Sequence, residues 1–152
     1  MYATRMTRHM DAPPSRVYRA LLDPEAVAAW RVPDGMTCRV HEFEPRVGGA
    51  FRVSLTYDAP DRSGKTAGRT DTYHGHFVEL VEDAKVVERL RFESDDPDVA
   101  APMTMTTTLT AAGGGTEVAI LHEGIPDAVP AADNEAGTRM ALDRLAGLVV
   151  RM

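Results

Sequence analysis

The chain has 152 residues, a formal net charge of −6, and 43% hydrophobic and 26% charged side chains. This length supports a single domain spanning 1–152, with a core that needs neither disulfide nor metal. The balance is that of a globular chain, and the acidic excess argues against a nucleic-acid-binding surface.

The start, MYATRMTRHMDAPP, carries charge throughout and lacks the apolar h-region of a secretory signal. Residues 2–10 read as a first strand of mixed character, suited to an edge or rim. Pro13-Pro14 opens a helix, with Ser15 or Asp11 as its expected cap, and Val17, Tyr18, Leu21 and Leu22 form its apolar stripe. Asp23 is placed to cap a second short helix running through Trp30.

From Met36 the pattern changes to period two. Strands are expected near 36–44, 49–58, 69–82, 85–93, 102–111 and 115–123. Turn signals separate them: Val47-Gly48-Gly49, the run Ala-Pro-Asp-Arg-Ser-Gly at 59–64, Glu82-Asp83, and Gly113-Gly114-Gly115-Thr116. The Thr-rich run Met103 to Thr110 alternates as a half-buried strand should. The single cysteine, Cys38, cannot close an internal disulfide, which points to a reducing, cytoplasmic setting, and its strand position suits a buried, inert thiol.

A long helix ends the chain. Asp133 or Asn134 is its expected cap, and Met140, Leu142, Leu145, Leu148 and Val149 carry its periodicity. Gly137 within it costs about 1 kcal/mol relative to alanine, which predicts a close packing contact there. No run approaches the ~18 apolar residues of a membrane span. The order of elements describes an α+β fold in which an antiparallel meander packs on one long helix.

Several motifs add family detail. Ala12-Pro13-Pro14-Ser15-Arg16-Val17-Tyr18, Asp23-Pro24 through Trp30, Arg46-Val47-Gly48-Gly49-Ala50-Phe51-Arg52, Tyr73-His74-Gly75-His76-Phe77-Val78-Glu79, Gly115-Thr116-Glu117-Val118 and Gly137 to Leu145 occur in this order. Together they resemble the family of homologues of the activator of the 90-kDa heat-shock protein ATPase, a branch of the START-like (SRPBCC) superfamily. One departure is Thr138, where many relatives carry tryptophan. The resemblance implies a helix-grip fold: a curved antiparallel sheet around a long C-terminal helix, with two short helices after the first strand. It also implies a cavity between sheet and helix.

Alternation nominates Phe51, Val53, Leu55 and Tyr57 as one inward face, and Met103, Met105, Thr107 and Leu109 as another. The helix adds Met140, Leu142 and Leu145. The candidate pocket set is Trp30, Phe51, Val53, Leu55, Tyr57, Tyr73, Met103, Met105, Met140 and Leu145. These same residues also suit a plain packed core, and Trp30 suits a packing anchor at the helix–sheet junction. No catalytic, cofactor or metal set is assigned. His74 and His76 share a strand face and His122 lies on a later strand, but no Asp or Glu is tied to them. His9 and His41 add no pattern. Ser15, Ser54, Ser63 and Ser94 lack the base and orienting acid of a triad, and the acidic run 95–98 lacks calcium-loop spacing.

Three functions follow from the resemblance. The leading one is non-catalytic binding of a small hydrophobic or aromatic molecule under the C-terminal helix. The second is a polyketide cyclase or aromatase-like enzyme, with His74, Tyr73 or Arg52 moving protons. The third is a chaperone- or protein-partner module, with a homodimer among the expected assemblies and no membrane or nucleic-acid partner.

Overall fold

A computed structural model describes residues 1–59, 63–64 and 68–152. Strand β1 (Tyr2–Met10) precedes helices α1 (Pro14–Leu21) and α2 (Pro24–Trp30). Strands β2 (Met36–Phe43), β3 (Ala50–Tyr57), β4 (Thr70–Val81), β5 (Lys85–Phe92), β6 (Met103–Ala112) and β7 (Gly115–Ile125) follow, and α3 (Ala131–Arg151) closes the chain. The seven strands form one antiparallel sheet in the order β1-β7-β6-β5-β4-β3-β2. The expected meander is thus continuous from β2 to β7, and β1 occupies an edge. Pro60, Asp61 and Arg62 of the expected turn at 59–64 lie outside the described residues.

The Val47-Gly48-Gly49 corner needs its glycines for two different reasons. Gly48 sits at φ +81°, where a Cβ is strained. A Cβ on Gly49 would stand 2.1 Å from the Glu44 carbonyl oxygen. The corner also joins β4, since Gly48 N–H donates to Phe77 O and Phe77 N–H donates to Gly49 O.

Both helix-cap expectations at prolines are corrected. In α1 the cap is Pro13, with no side-chain cap bond; Arg16 N–H and Val17 N–H donate to its carbonyl. In α3 the helix begins two residues before Asp133, at Ala131 after Pro130. A turn closed by Val129 N–H on Pro126 O delivers the chain to Pro130, whose carbonyl accepts from Asp133 N–H and Asn134 N–H. Asp133 then lies in the first turn, where its charge complements the helix dipole. Asp23 does cap α2, accepting from Glu25 N–H at 3.1 Å.

The two halves of the sheet's inner face differ. At one end Phe51, Phe77 and Phe43 interlock, with ring centroids 5.2 and 5.5 Å apart, and join a core that includes Leu142, Leu145 and Val149 of α3. The first half of α3 carries small side chains toward the sheet: Ala136, Gly137, Thr138 and Ala141. They are too short to reach across, and a cavity remains under them. No close approach explains Gly137, because a Cβ there would meet Pro33 at an ordinary 3.7 Å. The close contact expected at this glycine is therefore absent.

Candidate functional site

The cavity has a volume of about 600 Å³ and lies between the inner face of the sheet and the first half of α3. Leu55, Leu90, Phe92, Met103, Met105 and Ile120 supply its apolar walls. Of the ten candidates, Trp30, Leu55, Tyr57, Tyr73, Met103, Met105 and Met140 line it. Phe51, Val53 and Leu145 do not; the first two share a face of β3 with Leu55 and the third faces them from α3, and all three are buried in the packed core. Trp30 is an anchor as well as a wall, since its indole N–H donates to Ala20 O at 3.0 Å in the interior.

A polar cluster is set into this apolar lining. Arg31, the residue at which α2 ends, turns its guanidinium inward. Nη1 donates to Glu88 Oε1 at 2.7 Å and Nη2 to the Met105 sulfur at 3.3 Å, while Cζ lies 5.4 Å from the centre of the Tyr73 ring. The two charged side chains are only 14% and 6% exposed, so this is a buried pair rather than a surface one. Burial works against the Arg31 charge, and Glu88 beside it more than offsets that, so the guanidinium stays protonated. Burial also pushes the Tyr73 phenol well above its ordinary value, which keeps it a neutral donor.

His122 stands on the same wall, opposite Met105 in the β6–β7 register. Its Nδ1 faces Asn134 Nδ2 at 3.2 Å, and the Thr4 hydroxyl donates to Asn134 Oδ1 at 2.7 Å. Burial, helped by the nearby Arg31 charge, lowers the imidazole to a pKa of about 4, so it is neutral at physiological pH. Among the described residues neither His122 Nε2 nor the Tyr73 hydroxyl has a hydrogen-bond partner. The Cys38 thiol is pushed up by burial and stays protonated.

The other polar candidates lie elsewhere. Tyr73 points inward, so His74, its neighbour on β4, projects from the opposite face. There Arg52 forms a two-pronged pair with Glu93 at 2.8 and 2.9 Å, and His74 Nδ1 joins the same carboxylate at 3.0 Å. Hydrogen bonds from Arg52 above all, and from His74, hold Glu93 below the usual carboxylate range. The proton-moving trio of His74, Tyr73 and Arg52 is thus divided between two faces, as is the set of His74, His76 and His122. Among the described residues no three His, Cys, Asp or Glu side chains stand together as a metal site. Ser54 contacts His41 at 2.8 Å, but on the exposed outer face and with its hydroxyl also at 2.7 Å from Thr72. No helix of the described residues is long and apolar enough to cross a membrane.

Arg31, Glu88 and Asn134 were not among the sequence candidates. A signal for Glu88 exists: it sits in the inward phase of Val86-x-Glu88-x-Leu90-x-Phe92, where only a paired charge is tolerable. Arg31 carries no such signal, because it stands where a helix ends and neither period applies.

Comparison with known proteins returns the same architecture. A solved structure of a Chromobacterium violaceum protein shares 37% identity over 97% of this chain and 96% of its own, with a TM-score of 0.86. A Rhodobacter sphaeroides protein, at 24% identity, covers 99% of this chain and 93% of its own with a TM-score of 0.81 and attests the fold alone. So does an AHSA1-like protein from Aeromonas hydrophila at 16% identity, covering 98% and 92% with a TM-score of 0.74. No curated protein matches the chain in sequence. The model of the family described as activator of Hsp90 ATPase homolog 1-like protein matches residues 11–150, and the chain belongs to that family.

Proposed function

We propose that the chain binds a small hydrophobic or aromatic molecule in the cavity between the sheet and α3. The observation that carries this reading is the cavity itself. About 600 Å³ lies within the range of small-molecule sites, and its lining is mainly apolar with a few convergent polar groups. Methionines at 103, 105 and 140 give the wall a deformable surface that accommodates more than one shape. Native mass spectrometry of protein purified from its source, followed by identification of any released molecule, tests the proposal. Absence of a co-purifying molecule, together with no thermal shift across a lipid and aromatic library, sinks it.

A second reading is supported by the convergence of Arg31, Tyr73 and His122 on one wall. In a cyclase- or aromatase-like enzyme these groups would stabilise an enolate oxygen as it forms. They are donors, however, and the imidazole nitrogen that could act as a base is engaged by Asn134. Incubation with a poly-β-ketone thioester mimic separates the two readings, because a binder leaves the rate and regiochemistry of cyclisation as they are in buffer alone.

A further inference from the structure

The outer face of the sheet, opposite the cavity, carries a second and smaller hollow of about 220 Å³. That is several times the roughly 30 Å³ share of one water in the liquid. Gly75 has no side chain and Leu90 buries its own, so the floor is backbone, and Pro102 joins the wall. The other four lining residues are all basic: His74 and His76 from β4, Arg89 and Arg91 from β5. No carboxylate among the described residues lines the hollow, although the chain has 23 Asp and Glu against 17 Lys and Arg.

The sheet register builds this quartet. Tyr73, Phe77, Glu88 and Leu90 are buried in the inward phase, so the residues between them project outward, and all four bases are exposed. His74 stands opposite Arg91 and His76 opposite Arg89, so each pair is rooted about 5 Å apart. The two arginines, two residues apart on one strand, are rooted about 7 Å apart.

Their charge is not met within the protein. Among the described residues neither the Arg89 nor the Arg91 side chain has an ion pair or hydrogen bond. Glu93, two residues beyond Arg91, is already engaged by Arg52 at 2.8 and 2.9 Å and by His74 Nδ1 at 3.0 Å. Glu79, farther along β4, is paired with Lys85. The acidic side chains at 95, 96 and 98 follow in the next loop and do not line the hollow. Across the sheet, the row Arg91–His74–Arg52 ends at Glu42 and the row His76–Arg89–Thr104 ends at Glu123. Carboxylates thus bracket the quartet, which suits one small anion rather than the length of a polyanion.

We propose that this hollow binds a phosphate group, either as inorganic phosphate or as the end of a phosphate monoester, with Arg89, Arg91 and a ring N–H of His76 donating to its oxygens. Two uncompensated guanidiniums match a dianion with three free oxygens, whereas a single fork satisfies a carboxylate. The proposal is independent of what the cavity binds.

Titration calorimetry at pH 7 in low salt with inorganic phosphate, phenyl phosphate and benzoate tests it. Phosphate is expected to bind with a Kd of about 1 mM or tighter, and benzoate about tenfold or more weakly than phenyl phosphate. Equal affinity for the two phosphates assigns the site to the free ion, and tighter phenyl phosphate assigns it to a monoester. Arg89→Gln and Arg91→Gln, at exposed positions, should each weaken phosphate about fivefold or more. Arg39→Gln removes the same charge from an exposed site on β2 outside the hollow and should change affinity less than about twofold. In proton–nitrogen spectra phosphate should move the Gly75 and Leu90 amides and leave that of Ala141, on the cavity wall, in place. No saturable binding, benzoate as tight as phenyl phosphate, equal losses in the Arg39 and Arg91 variants, or shifts centred on the cavity overturns the proposal.

Discussion

Replacing Glu88 by glutamine probes the polar wall with the least change of shape. The carboxylate stands 2.7 Å from Arg31 Nη1, and both side chains are nearly out of solvent. At that depth the attraction is not screened as it is at a surface. Glu88→Gln leaves the guanidinium with the Met105 sulfur and the face of the Tyr73 ring, neither of which neutralises a charge. Removing one member of a buried pair costs about 3–5 kcal/mol. The cavity gives Arg31 some access to water, so the expected loss is at the lower end, about 3 kcal/mol. For a chain of this size that lowers Tm by roughly 6–12 °C. Urea unfolding followed by fluorescence of Trp30, the single tryptophan and a cavity residue, measures it directly. The double variant Arg31→Met with Glu88→Leu removes both charges and is expected within about 1 kcal/mol of the original chain, or above it. If Glu88→Gln costs less than about 1 kcal/mol, or the double variant is as unstable as the single one, the pair is not the buried interaction described.

Acid should destabilise the fold through His122. The unfolded imidazole protonates near 6.5 and the folded one near 4, so the unfolded state binds more protons between those values. Stability then falls as pH drops through that window, by roughly 3 kcal/mol in all, and levels off below it. A His122→Gln variant should flatten the profile of urea midpoints, and an unchanged profile rejects the assignment. At the β2–β3 corner, Gly49→Ala should cost about 1–3 kcal/mol, since its Cβ would overlap the Glu44 carbonyl and no side chain can yield. In α3 the same substitution has the opposite sign. Gly137→Ala meets only an ordinary contact with Pro33 and should gain up to about 1 kcal/mol in chemical denaturation. A loss there would mean that the helix needs the glycine for packing after all.

What was legible in the sequence and what was not divides along physical lines. Period two across Phe51, Val53, Leu55 and Tyr57 places these side chains on one face, and the sheet register keeps them there. Order of elements and hairpin turns are local properties, so they could be read directly. Whether an inward side chain ends in packed core or on a cavity wall is not local. Phe51 meets Phe77 and closes its end of the sheet, while Leu55, on the same face of the same strand, faces the small residues of α3. Deciding that requires knowing which stretch of helix lies over which stretch of strand. The α3 start was misplaced for a related reason. Asn134 has the chemistry of a cap, but the Pro126–Pro130 turn starts the helix earlier and leaves Asn134 to bond His122 and accept from Thr4.

The cavity and its chemistry come from two separate departures from good core design. Alanine, glycine and threonine in the first half of α3 leave volume unfilled, and Glu88, Tyr73 and His122 place polar groups where apolar ones would pack. Either departure alone is simply a cost. A void lined by hydrocarbon forgoes contact energy, and an unpartnered donor forgoes hydration. A molecule that is apolar over most of its length and fills the void removes the first of these costs. Such a molecule restores the missing contacts along the apolar walls. Its binding energy and the stability of the fold then draw on the same groups, so occupancy should appear as a rise in Tm. At a free concentration 100 times Kd the gain is about 2.7 kcal/mol, or roughly 5–11 °C for a chain of this size.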